Sequence, residues 1–112
     1  MKILEKKISL IELKEMAANI FGDLVKAVVD IEKKIIALDA DLHADLEKML
    51  LEQGSQQTNL WGINLYPDLT DDDFIEFDSM INIRPKDGNR SRSVDSYKKQ
   101  QLIRNIVAKW VE

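Results

Sequence analysis

Cysteine is absent from this 112-residue chain, and histidine occurs once. The first absence excludes a disulfide framework and a thiolate zinc site, so nothing requires an oxidising compartment and the cytoplasm is the expected location. No run approaches the roughly 18 apolar residues of a membrane span. The opening Met1-Lys2-Ile3-Leu4-Glu5-Lys6-Lys7 carries charge where a signal peptide needs an apolar core, which predicts a soluble protein without membrane contact. A lone histidine and the lack of a Gly-x-Ser-x-Gly elbow leave Ser55 and Ser79 without support as hydrolase nucleophiles. Walker-type phosphate loops and dinucleotide fingerprints are missing too, so no cofactor is expected.

What is present suits one domain over residues 1–112, because 45% hydrophobic residues suffice for a single core. The net charge of −4 argues against a general nucleic-acid coat, but it is unevenly spread. Residues 1–83 hold 8 basic and 17 acidic side chains, net −9, whereas residues 84–112 hold 8 and 3, net +5. That asymmetry allows a local anion site on an acidic protein, or head-to-tail pairing of copies into a homo-oligomer.

Ser9-Leu10-Ile11-Glu12 has the spacing of a capping box, which predicts a helix from about Leu10 to Gly22 with an apolar stripe through Leu13, Met16 and Ala17. Met1–Glu5 is a candidate edge strand. Leu24–Ile31 and Ile35–Leu38, split by Glu32-Lys33-Lys34, predict a hairpin. A second helix follows with Leu42, Leu46, Met49 and Leu50 on one face, Asp39 or Asp41 as its cap, and Gly54 past its end. Leu60–Tyr66 predicts a strand halted by Pro67. Phe74–Arg84 alternates, with Ile75, Phe77, Ile81 and Ile83 against Glu76, Asp78, Asn82 and Arg84, and predicts a further strand. Asp95 is placed to cap a last helix carrying Leu102, Ile103, Ile106, Val107 and Trp110. The expected fold is α+β: a four- to five-stranded antiparallel or mixed sheet packed on about three helices on one side. The two halves share no residue pattern, so no repeat is inferred.

Chemistry concentrates in Arg84-Pro85-Lys86-Asp87-Gly88-Asn89-Arg90-Ser91-Arg92. Arginine forks match phosphate or carboxylate, and a Gly-Asn turn can aim backbone amides at the same point. The competing reading is a solvated turn. The polar parity of the preceding strand would extend this site with Asn82, Asp78 and Glu76, joined by Asn64 and Tyr66 if these project the same way. Glu76 and Asp78 are also candidates for acid–base or metal-assisted work, with His43 nearby, although antiparallel sheets commonly expose a polar face. His43 and Glu47, at i and i+4, share a helix face, but a single histidine gives too little support for a metal site. Trp61 suits the core, and Gly62 allows a close approach.

Leu42-His43-Ala44-Asp45, Gly54-Ser55, Leu60-Trp61-Gly62-Ile63-Asn64-Leu65-Tyr66-Pro67, Ile81-Asn82-Ile83-Arg84-Pro85 and Gly88-Asn89-Arg90-Ser91 together resemble a family of short microbial proteins known only as a domain of unknown function. The resemblance spans essentially the whole chain. It implies a stand-alone domain and transfers no activity, substrate or catalytic residue. The leading expectation is a binding module in which Arg84, Arg90 and Arg92 supply charge while Asn82, Asn64 and Tyr66 orient an anionic group. That group is a nucleotide, an RNA phosphate or a carboxylate on a protein partner. The alternatives are a small metal-assisted phosphohydrolase or nuclease using Glu76 and Asp78, and a structural or regulatory protein that self-associates.

Overall fold

Ser9 opens the first helix as its spacing predicts: its hydroxyl accepts from the Glu12 amide at 3.1 Å, and α1 runs Leu10–Ile20. A computed structural model describes residues 1–112 and places α1 after a short strand β1 (Lys2–Ile3). The order continues β2 (Val25–Asp30), β3 (Ile35–Leu38), α2 (His43–Glu52), β4 (Leu60–Leu65), β5 (Ile75–Glu76) and α3 (Tyr97–Trp110). The predicted hairpin is β2–β3. At its turn the Asp30 carboxylate accepts from the Glu32 and Lys33 amides, both at 2.9 Å, and from the Ser55 hydroxyl.

All pairings are antiparallel, in the order β1-β3-β2-β4-β5. Strand alternation divides the core in two. Val25, Ala27, Val29, Ile36, Leu38, Trp61, Ile63 and Leu65 face Leu13 and Ala17 of α1 and Ile103, Ile106 and Val107 of α3. Val28, Ala37 and Leu60 face Leu46 and Leu50 of α2. Helices therefore cover both faces of the sheet, not one, because the strands are apolar on both parities. No helix is long and apolar enough to cross a membrane.

The predicted strand Phe74–Arg84 is mostly not a strand. Only Ile75–Glu76 pairs with β4, and the chain then turns through 3-10 segments at Met80–Asn82 and Pro85–Asp87. Beyond Asn64 the edge of β4 is completed by side chains. Asn82 accepts from the Gly62 N–H at 2.8 Å and donates to the Gly62 carbonyl at 2.9 Å, while Arg84 Nη1 donates to the Leu60 carbonyl at 2.8 Å. An amide offers a donor and an acceptor side by side, as a strand residue does, so it can end a sheet without adding one. Two expected caps also differ. Leu42, not Asp39 or Asp41, precedes α2, and no side chain caps its first turn. Ser96, not Asp95, caps α3, accepting from the Lys99 amide at 3.2 Å.

A pocket at the start of helix α2

On the face of the sheet covered by α2, register alone brings three polar residues into a row. Lys26 lies opposite Asn64, and Asn64 lies opposite Glu76, across β2, β4 and β5. Directly opposed residues share a face with Cβ atoms about 5 Å apart. Over this row opens a pocket of about 480 Å³, within the size range of small-molecule sites. Leu24, Leu42, Met80 and Ile81 form its apolar wall, and Tyr66, Asp78, Arg92 and His43 supply further polar groups.

Asn64 is only 6% exposed. Its amide nitrogen donates to Glu76 Oε1 at 2.8 Å and to the Asp78 carbonyl at 3.3 Å, which fixes the orientation of the side chain. Its oxygen is buried without a hydrogen-bond partner. Such an acceptor costs about 1–3 kcal/mol relative to a satisfied one, and it belongs to a residue that lines the pocket. Tyr66 also donates to Glu76 Oε1, at 3.1 Å; burial and this carboxylate raise the phenol pKa above 10.0.

His43 is the first residue of α2 and is buried. Nε2 lies 2.8 Å from the Ile63 carbonyl, which only an N–H can satisfy, so the neutral ring carries its proton there. A Cβ on Gly62 would meet His43 Cδ2 at 3.2 Å and the Ser79 side chain at 2.5 Å. Gly62 is thus small because His43 and Ser79 sit directly on the strand. With the Cδ2–Nε2 edge against the sheet, Nδ1, the opposite vertex of the ring, points away from it. Burial lowers the pKa below 6.5, and Lys26 adds to this, while the Ile63 carbonyl, Asp78 and Asn64 oppose it.

The basic loop does not converge. Arg92 alone reaches the pocket, donating from Nε to Asp78 Oδ1 at 2.6 Å. Arg84 lies on the far side of Asn82, its guanidinium 4.2 Å from the centre of the Trp61 ring, with Nη1 on the Gln57 and Leu60 carbonyls. Its Nε is 3.3 Å from Asp87 without hydrogen-bond alignment, and burial lowers its pKa despite Asp87 and Glu47. Arg90 is exposed, and its backbone N–H donates to Asp95 at 3.0 Å. Asp95 also receives the Ser91 hydroxyl, and these bonds lower its carboxyl pKa. The loop's own carboxylate therefore takes the turn amide that an external anion would use. Asn89 is buried and donates to the Asn82, Ser91 and Ser93 carbonyls, so it braces the turn. Asn82, buried completely, braces the sheet edge and stands outside the pocket.

Of the residues expected at a site, the structure gathers His43, Asn64, Tyr66, Glu76, Asp78 and Arg92, and separates Arg84, Arg90 and Asn82 from them. Lys26 was not among the expected residues. It is the only charged side chain between Leu24 and Val29, a signal whose meaning depends on knowing which strand lies opposite. No three histidine or acidic groups are placed to hold a metal ion, and His43 and Glu47 gain no third ligand. The acidic segment and the basic segment meet within the molecule at Arg92–Asp78 and at Arg104–Asp72, 3.8 Å apart.

No curated protein and no solved structure matches the chain. A family model does, described as a protein of unknown function (DUF5674), over residues 2–110, and the chain belongs to that family.

Proposed function

We propose that the protein is a small-ligand binding module and that its site is the pocket over Lys26, Asn64 and Glu76, not the loop 84–92 as a whole. The anionic group of the ligand is met by Lys26 and Arg92 and by the first-turn amides of α2. The observation that carries this reading is the open first turn of α2 at Leu42, His43 and Ala44, on the rim of a pocket that also holds a buried acceptor without a partner. First-turn amides have no intrahelical acceptor and carry the positive end of the helix dipole. A cytoplasmic location fits the absence of cysteine.

A metal-assisted phosphohydrolase would use the same carboxylates. Binding is favoured because no three histidine or acidic groups are placed to hold a metal ion, and one oxygen each of Asp78 and Glu76 already bonds Arg92 or Asn64 and Tyr66. Extended nucleic acid is disfavoured by a pocket with as many acidic as basic groups.

Calorimetric titration of inorganic phosphate, mononucleotides and small carboxylates at low salt tests the proposal. A saturable binder should lose affinity at least 10-fold in a Lys26→Met, Arg92→Met double variant. Absence of any binder, or equal affinity in the variant, overturns it.

A further inference from the structure

The pocket's charges are balanced and spatially ordered. Lys26 and Glu76 stand at the two ends of one cross-strand row with Asn64 between them. Arg92 and Asp78 add one charge of each sign, and the neutral imidazole of His43 adds none. A simple anion would satisfy Lys26 and the α2 amides but would leave Asn64 Oδ1, a pure acceptor, facing a group that cannot donate to it. A simple amine would satisfy Asn64 and Glu76 but leave the uncapped turn of α2 open.

Resting on the proposed binding role, we infer that the ligand is a small zwitterion of the α- or β-amino-acid class. Its carboxylate sits at the start of α2 beside Lys26, and its ammonium sits between Asn64 Oδ1 and Glu76. Leu24, Leu42, Met80 and Ile81 then meet its side chain, which favours an apolar one. The ammonium offers Asn64 Oδ1 a charged donor.

The test is thermal shift and calorimetry on the full chain with the twenty standard L-amino acids, β-alanine, and for each the matching amine and carboxylic acid. At least one amino acid should bind at least 10-fold more tightly than both of its single-charge analogues. Glu76→Gln keeps an oxygen for Asn64 and Tyr66 to bond but removes the charge, and it should erase the preference over the carboxylic acid. Equal binding of amino acid and carboxylic acid overturns the zwitterion and leaves the anion-binding role standing. Binding by none of the panel overturns the zwitterion, and if phosphate and nucleotides also fail, the binding role falls with it.

Discussion

Asn82 and Gly62 exchange two hydrogen bonds, 2.8 and 2.9 Å long, between a side-chain amide and the backbone of a sheet edge. The same amide donates to the Arg92 carbonyl at 2.9 Å, so one side chain ties the end of β4 to the residue that carries the loop's charge into the pocket. Asn82→Ala leaves the buried Gly62 N–H and carbonyl without these partners, while the Arg92 carbonyl keeps the Ser79 amide at 3.0 Å. The expected loss is about 2 kcal/mol or more, since each orphaned group costs about 1–3 kcal/mol. Denaturant unfolding measures it; a loss under 1 kcal/mol would show that the edge finds other partners.

Gly62 has no room for a methyl group. Its Cβ would lie 2.5 Å from Ser79 Cβ, closer than atoms pack. Gly62→Ala should cost about 1–3 kcal/mol through overpacking. Adding Ser79→Gly should recover part of that loss, because the clash is with the Ser79 side chain. Additive losses in the double variant would place the strain elsewhere.

The single histidine makes its titration directly observable. His43 is neutral in the fold with its pKa below 6.5, so the unfolded chain binds the proton more readily between the two values. Stability from this group is therefore present above pH 6.5 and falls as pH drops towards the folded pKa. The imidazole resonance should show a midpoint below 6.5 by NMR, and His43→Gln should flatten that part of the stability–pH curve. A midpoint at or above 6.5 contradicts the buried neutral ring.

Arg84 and Arg92 should separate stability from binding. Arg84 is nine-tenths buried along its side chain and serves two backbone carbonyls and the Trp61 ring. Arg84→Lys loses the planar fork and should cost about 1–3 kcal/mol while leaving ligand affinity unchanged. Arg92 is more than half exposed and pairs at the surface, so Arg92→Met should change stability by under about 1 kcal/mol and weaken ligand binding. Unfolding curves and titrations on both variants decide; the reverse pattern would return the site to the loop.

Locally encoded features were legible in the sequence. The Ser9–Glu12 cap, the β2–β3 hairpin broken at Glu32-Lys33-Lys34, and the apolar stripe of α3 depend on neighbours within a few residues. The failures share a physical cause. Alternation from Phe74 to Arg84 is compatible with a strand, and only the distant Gly62 edge determines that Asn82 turns inward as an amide clamp. Asp39 has a capping side chain, but its backbone is left-handed, at φ 75°, and α2 begins four residues later. The site was half visible: parity united Glu76 and Asp78, whereas Lys26 and Asn64 join them only through register across three strands.

The ¹H–¹⁵N NMR spectrum titrated with the amino acids, phosphate and nucleotides named above decides whether a ligand seats in the pocket over Lys26, Asn64 and Glu76. A ligand held there gives a saturable response centred on the Asn64 side-chain amide and the His43 and Ala44 backbone amides, with Arg84 and Arg90 nearly unmoved. Shifts centred on Arg84 to Arg90, or no saturable shift from any of these compounds, would contradict it.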